Sequence, residues 1–202
     1  MSRLLLLSGG LDSSALAAMV RPDHALVFDY GQVAADAEHR AAREVARELK
    51  VPLTHLRVPA GVVAAGLMSV GVDDTNVTVE GTAPEWWPFR NQLLITLAAA
   101  WGVTRGFGEV LLGTVATDGA RHADGTAEFR AAIDRLLSLQ EGGLRVSAPA
   151  ADLTSDQLLT RSGIPEHVLA WTHSCHRANL PCANCPGCIK RSEVLRRAGL
   201  LQ

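Results

Sequence analysis

The hydrophobic positions of this chain fall into short apolar runs that alternate with longer segments of helical spacing. A short apolar run bounded by turn residues is typical of a buried strand, whereas apolar residues at every third or fourth position indicate a helix. The pattern predicts five strands, at 3–7, 25–28, 53–58, 109–113 and 144–147. It predicts helices at 13–20, 34–49, 60–68, 90–102, 126–140, 154–162 and 188–199.

The alternation of strands and helices predicts an α/β fold with a doubly wound parallel sheet, because right-handed crossovers place the helices on both faces of such a sheet. Ligands of these sheets bind beyond the carboxyl ends of the strands. All four cysteines lie between 175 and 188. We therefore expect an α/β domain over 1–165, followed by a small cysteine knuckle and a last helix over 166–202.

The composition of the 202 residues is that of an ordinary globular protein, with 48% hydrophobic and 20% charged residues. The net charge of −2 provides no basic excess of the kind that favours nucleic-acid binding. No apolar run reaches the roughly 18–20 residues that a membrane span needs, and the first run is too short for a signal peptide. We expect a cytoplasmic protein.

The segment between the first predicted strand and the first helix reads S-G-G-L-D-S-S, from Ser8 to Ser14. Two glycines allow the backbone to approach a ligand closely, and the start of a helix presents unpaired N–H groups to an anion. The alternative is a plain turn in which Asp12 or Ser13 caps the helix. The Walker pattern of P-loop proteins is absent, so a phosphate site here would belong to a different class.

The four cysteines have the spacing C-x6-C-x2-C-x2-C, from Cys175 through Cys182 and Cys185 to Cys188. Four thiolates at such short steps suit a tetrahedral zinc ion, and a complete tetrahedron leaves no open position, so the site would be structural. An iron–sulfur cluster, a redox pair and unbound reduced cysteines are the alternatives.

The N-terminal loop resembles the PP-loop of ATP pyrophosphatases, the enzymes that cleave ATP at the α-phosphate and transfer AMP to a substrate. The resemblance implies that ATP is bound with Mg²⁺, and that Asp12 positions the metal and the phosphates. The implied ATP ligands are Ser8, Gly9, Gly10, Leu11, Asp12, Ser13 and Ser14. Asp29 and Tyr30, which follow the second strand, lie where the adenosine would rest.

The loop and the knuckle together resemble the 7-cyano-7-deazaguanine synthases of queuosine and archaeosine biosynthesis, almost from end to end. The matching segments are F-D-Y-G-Q at 28–32, R-N at 90–91, G-T-V-A-T-D at 113–118, A-P…D-L-T at 148–154 and S-C at 174–175. The resemblance implies that 7-carboxy-7-deazaguanine is adenylated by ATP, converted by ammonia to an amide and then to the nitrile. It also implies a homodimer.

Four residues between the loop and the knuckle are candidates for catalysis and substrate binding. Arg90, at a predicted helix start, offers a fixed cation to a phosphate or carboxylate, with Asn91 beside it. Asp118 follows the fourth strand, at the edge where ligands bind, and Asp124 offers acceptors to a guanine-like edge. Each has a plainer interpretation, as a solvated helix-end arginine or a turn aspartate. The predicted catalytic residues are Asp12, Arg90 and Asp118.

Several positions depart from the family pattern, and they cluster on the substrate side. Over 118–126 the aromatic residues of the synthases' D-Y-S-G-Y-P-D-C-R are gone and Arg121 and His122 appear, and Ser155 follows D-L-T where the synthases have a lysine. His173 and His176 flank the first cysteine and line either the neighbouring site or the surface. The ATP loop and the cysteines keep the pattern, so the adenylation step is better supported than the acceptor.

Three hypotheses for the function follow. The first is a synthase that makes the nitrile from a small deazaguanine and ammonia. The second is a relative with the same adenylation chemistry, which attaches a deazaguanine to a protein or nucleic acid in a modification or antiviral defence system. The third is a non-catalytic ATP-binding module, against which the complete S-G-G-x-D-S argues.

Overall fold

The computed structural model describes residues 1–61, 64–69 and 82–201. At its centre lies a five-stranded parallel sheet with the order β3-β2-β1-β4-β5, which confirms the predicted fold class. The strands are β1 (Ser2–Leu6), β2 (His24–Asp29), β3 (Leu53–Arg57), β4 (Phe107–Leu111) and β5 (Arg145–Ser147). The chain winds outward from β1 in one direction and then returns to β4 on its other side, so the switch point lies between β1 and β4.

Seven α-helices accompany the sheet in the described residues. They are α1 (Leu11–Val20), α2 (Ala35–Leu49), α3 (Arg90–Val103), α4 (Ala127–Ser138), α5 (Ser155–Ser162), α6 (Glu166–Leu169) and α7 (Pro186–Arg197). Their starts follow from local chemistry. Thr126 caps α4 through its hydroxyl, and Thr154 forms a capping box with Gln157 at the start of α5. Proline begins α7, where its missing N–H costs no helical hydrogen bond.

The core lies in two layers because neighbouring residues of a strand point to opposite faces. Leu4 of β1 and Val110 of β4 pack with α3 and α4 on one face. Leu5 and Leu111 pack with α1, α2 and α5 on the other, where Val194 of α7 joins them. None of the helices within the described ranges is long and apolar enough to cross a membrane.

Two parts of the predicted secondary structure differ from the observed one. The helix predicted over 60–68 is wrong for 64–68, which form bends and turns, while residues 62–63 lie outside the described residues. Gly66 there has a φ of 69°, and a Cβ on it would lie 2.5 Å from the Trp86 carbonyl oxygen. The backbone N–H of Leu67 donates to the carbonyl oxygen of Pro84 at 2.7 Å, and this contact holds the turn in place of a helix. The pattern also did not predict α6.

Candidate active site and cysteine knuckle

A cleft of about 1040 Å³ opens at the carboxyl ends of the strands. The loop after β1 and the loop after β4 form its floor, at the switch point where doubly wound sheets bind their ligands. The two loops touch closely, since a Cβ on Gly113 would lie 3.1 Å from the Cα of Ser13. The cleft is therefore built where the fold alone predicts a binding site.

The loop from Ser8 to Ser13 is shaped by its glycine and serine residues. Gly9 has a φ of 76°, and a Cβ on it would lie 2.7 Å from both the Ala41 side chain and the Glu38 carbonyl oxygen. Only glycine fits there. The hydroxyls of Ser8 and Ser13 lie 3.1 Å apart. Helix α1 then begins without a side-chain cap, so its first turn faces the cleft with a positive dipole end.

Two carboxylates and one ammonium group meet beside this loop. The Nζ atom of Lys190, on α7, lies 2.9 Å from Oδ2 of Asp12 and 3.6 Å from Oδ1 of Asp118. Burial opposes the charge on Lys190, but Asp12 and Asp118 raise its pKa above the ordinary value. Oδ1 of Asp12 is buried without a hydrogen-bond partner among the described residues. An unpaired buried carboxylate oxygen suits a cation or a ligand donor.

Arg90 lies at the other end of the cleft, among groups that favour its positive charge. Burial disfavours that charge, but Tyr30, Asp124 and Glu38 together raise the pKa of Arg90 above its ordinary value. Its Nε atom donates to Oδ1 of Asn91 at 3.2 Å. Arg90 and Asn91 both line the cleft, so a permanently charged guanidinium faces any ligand bound there.

Glu38, on α2, is a titratable group of the cleft that the sequence did not predict. Its Oε2 atom accepts a hydrogen bond of 2.7 Å from the side-chain amide of Gln32. Burial raises the pKa of Glu38 to about 7, although Gln32 and Arg90 favour the charged form. The same burial raises the pKa of Tyr30 above its ordinary value. Glu38 therefore changes its charge near neutral pH.

The wall opposite the loop contains a buried carboxylate held by two basic side chains. Glu85 is 5% exposed and accepts hydrogen bonds from Nε and Nη2 of Arg121, at 2.5 and 3.1 Å. His122 lies 3.4 Å from the same carboxylate. Burial opposes ionisation, but His122 and Arg121 lower the pKa of Glu85 well below its ordinary range. Arg121 and His122 belong to the segment over 118–126 in which the aromatic residues of the family pattern are gone.

The four cysteines converge as the spacing predicted. Their sulfur atoms all lie within 4.8 Å of one another, with 3.9 Å between Cys175 and Cys185 and 4.0 Å between Cys182 and Cys188. A tetrahedral zinc ion with Zn–S bonds of about 2.3 Å places its sulfur atoms about 3.8 Å apart. The cluster therefore has the dimensions of a four-thiolate zinc site.

The segment that carries the knuckle packs directly on the N-terminal loop. The backbone N–H of His173 donates to the carbonyl oxygen of Gly9 at 2.9 Å, and the N–H of Ala37 donates to Oδ1 of Asn179 at 2.9 Å. His173 and His176 line the cleft, which agrees with one of the two locations predicted for them. The knuckle thus forms part of the wall of the cleft.

The structure brings most predicted site residues together. Ser8, Gly10, Leu11, Asp12, Ser13, Tyr30, Arg90, Asn91, Asp118 and Asp124 line the cleft. Gly9 and Ser14 are not among the lining residues, and Ser14 is fully buried. Asp29 is not among the lining residues, and its carboxylate accepts from the N–H of Gly31 and pairs with Arg57. Glu38, Glu85 and Lys190 are cleft residues that sequence reasoning missed.

These features define the class of protein. It is a doubly wound α/β protein with a glycine- and serine-rich loop at its switch point and a four-cysteine cluster next to that loop. The profile of the family described as queuosine biosynthesis protein QueC matches residues 2–199. The chain belongs to this family.

Individual relatives agree with that assignment. The chain is 32% identical over 213 residues to a 7-cyano-7-deazaguanine synthase of Stutzerimonas stutzeri, covering 98% of this chain and 94% of the relative. It is 28% identical over 217 residues to the enzyme of the same name from Methanothermobacter thermautotrophicus, covering 99% and 96%. The similarity therefore extends over the loop, the cleft and the knuckle of this chain.

Proposed function

We propose that this chain converts 7-carboxy-7-deazaguanine, ammonia and two molecules of ATP to the nitrile 7-cyano-7-deazaguanine, with two AMP and two pyrophosphate released. One observation carries the proposal. A single cleft joins a loop suited to phosphates, around Asp12, to a buried cation suited to a carboxylate, at Arg90. Family membership and the names of the relatives support the same reaction.

The chemistry proceeds by two activations. The substrate carboxylate attacks the α-phosphate of ATP, pyrophosphate leaves, and an acyl-adenylate forms. Ammonia displaces AMP, loses a proton and yields the amide. The amide oxygen then attacks the α-phosphate of a second ATP, pyrophosphate leaves, and loss of AMP together with both N–H protons gives the nitrile. AMP is the leaving group in both halves, so the protein needs no covalent nucleophile and acts by positioning and electrostatic stabilisation.

Each part of the cleft has a role in this scheme. The first turn of α1 and the hydroxyls of Ser8 and Ser13 bind the phosphates, since helix starts favour anions. Arg90 orients the carboxylate of the deazaguanine by a charge-assisted hydrogen bond, and Asp124 accepts from its guanine-like N–H groups. Asp12 and Asp118 would hold Mg²⁺, which supplies charge neutralisation on the phosphates.

The zinc site has a structural role in this proposal. Cys175, Cys182, Cys185 and Cys188 fill a tetrahedron, so no position remains for a substrate. Zinc would fix the segment that bonds to Gly9 and the start of α7. The ion then acts on the reaction only through the geometry of the loop.

The test is to incubate the purified protein with ATP, Mg²⁺, ammonium and 7-carboxy-7-deazaguanine, and to follow AMP release and product mass. We expect the nitrile and two AMP per product. Asp12→Asn should reduce the rate by about a hundredfold or more, since it removes a carboxylate that would hold Mg²⁺ at the phosphates. Asp36→Asn, an exposed change on α2, is the matched control and should retain activity. Absence of AMP with the unaltered protein would refute the proposal.

A second candidate differs only in the acceptor. The ion pair of Glu85 with Arg121, with His122 beside it, forms a polar wall from the segment in which the aromatic residues of the family pattern are gone, and this favours an acceptor other than ammonia, from a protein or a nucleic acid. Labelled 7-carboxy-7-deazaguanine, supplied with ATP but without ammonium, would then enter a macromolecular fraction. Nitrile formation at full yield with ammonium would oppose this candidate. The homodimer, the cytoplasmic location and the boundary at 165 stay predictions.

A further inference from the structure

Lys190 is a residue of the cleft whose role neither the sequence pattern nor the proposed reaction explains. It belongs to the second turn of α7, two residues after Cys188, and its side chain crosses to the N-terminal loop. Its Nζ atom donates to Oδ2 of Asp12 at 2.9 Å and lies 3.6 Å from Oδ1 of Asp118. Two segments 178 residues apart thus meet through one ammonium group.

A second observation concerns Ser155, at the start of α5. It follows D-L-T, where the family pattern noted above has a lysine. Ser155 lines the same cleft as Lys190, and its hydroxyl is buried without a hydrogen-bond partner among the described residues. Helix α5 packs against α7. On this side of the cleft, the chain therefore carries its lysine on α7 instead of α5.

The negative charges beside the loop would repel a bound phosphate chain unless a cation lies between them. Asp12 and Asp118 bring two carboxylates to the position where the proposed function puts an anionic phosphate chain. An ammonium group has three donors on a flexible stem. It can keep its hydrogen bond to Asp12 while its other two N–H groups reach phosphate oxygens. Oδ1 of Asp12 has no partner among the described residues, so this carboxylate can contact a metal ion and Lys190 at the same time.

We propose that Lys190 is a phosphate-binding residue of the nucleotide site, supplied by the helix that begins in the cysteine knuckle. The inference rests on the proposed function in one respect, namely that the ligand of the loop is the phosphate chain of ATP. Lys190 bridges the phosphates of ATP and the Asp12 carboxylate, and it does so only when α7 is held in place by the knuckle.

The experiment measures binding without turnover. The probe is α,β-methylene-ATP with Mg²⁺, which lacks the bond that the reaction breaks, and the readout is its Kd by titration calorimetry. Lys190→Met keeps the stem and removes the charge, whereas Lys190→Arg keeps the charge. Lys50→Met is the matched control, because Lys50 is the other lysine of the chain and is exposed at the end of α2.

We expect Lys190→Met to raise the Kd about tenfold or more, as loss of a charge-assisted hydrogen bond implies. Lys190→Arg should stay within about threefold of the unaltered protein, since its guanidinium also donates to phosphate, and Lys50→Met should not change the Kd. Thermal unfolding checks that each variant is folded; if Lys190→Met is not, Lys190→Gln takes its place.

Two results would overturn the inference. One is a Kd for Lys190→Met equal to that of the unaltered protein. The other is an equal loss in folded Lys190→Met and Lys190→Arg, which would show that the positive charge is not what binds. If the unaltered protein does not bind the analogue, the proposed ATP site fails and the inference fails with it. If the unaltered protein binds and Lys190→Met binds equally, only the role of Lys190 is refuted.

Discussion

Replacing Glu38 by glutamine should make the protein more stable at pH 8 and leave its stability nearly unchanged at pH 5. Burial raises the pKa of Glu38 in the folded protein from an ordinary 4.5 to about 7. The folded state therefore binds a proton more tightly than the unfolded state. Its contribution to stability is complete below pH 4.5 and is lost as the pH rises to about 7. Glutamine stays neutral and keeps an acceptor for the amide of Gln32.

The size of the effect follows from the pKa change. Each tenfold change in proton affinity corresponds to about 1.4 kcal/mol, so a rise from 4.5 to about 7 lowers the free energy of unfolding by about 3 kcal/mol once Glu38 is ionised. We expect the Glu38→Gln protein to exceed the unaltered protein by about 1–3 kcal/mol at pH 8. Urea unfolding at pH 5, 6, 7 and 8, followed by tryptophan fluorescence, measures this difference.

The control separates burial from simple loss of charge. Glu141→Gln changes an exposed carboxylate in the turn after α4 and should not reproduce the gain at pH 8. Both variants are compared with the unaltered protein at equal zinc concentration. Any pH-dependent change in stability that comes from protonation of the cysteines then affects all three proteins equally. A stability difference for Glu38→Gln that stays constant between pH 5 and pH 8 would refute the reasoning, because it would show that Glu38 is not the titrating group.

Three further predictions concern the wall of the cleft, the knuckle and the core. Glu85→Gln should cost about 1–2 kcal/mol, because it breaks a hydrogen-bonded ion pair whose arginine is half exposed; Asp134→Asn, in a more exposed pair, should cost less in the same urea titration. Cys185→Ser should reduce the zinc content measured by mass spectrometry and lower Tm, and full zinc content would contradict the assigned ligand. Leu158→Ala should cost about 2–5 kcal/mol, since Leu158 is fully buried between α5 and α1, whereas Leu139→Ala, at an exposed leucine, should change Tm little.

The sequence predicted those features whose residues lie close together along the chain. The strands β1 and β2 are short apolar runs, and the loop and knuckle motifs each lie within 14 residues. The turn over 64–69 was missed because an Ala- and Leu-containing run resembles a helix, while its geometry depends on contacts with the chain near Pro84. Trp171 is 49% exposed, although tryptophan is a residue type that is highly buried on average.

The cleft residues that were missed depend on contacts between distant segments. Nothing near Lys190 indicates that it meets Asp12, and nothing near Glu85 indicates that it pairs with Arg121 36 positions later. Asp29 shows the opposite case, since it ends β2 on the side of the sheet where ligands bind, but its carboxylate pairs with Arg57. The end of a strand predicts the neighbourhood of a site, whereas the direction of a side chain depends on packing.

The joining of the first loop to the last helix has a consequence for the order of events during synthesis. A chain leaves the ribosome N-terminus first, so β1 and the loop are exposed long before the segment that bonds to Gly9 has been made. The cleft is therefore completed by residues that emerge after all five strands. A nascent chain can form the sheet before α7 is made, but the cleft lacks its Lys190 side until that helix has packed against the first loop.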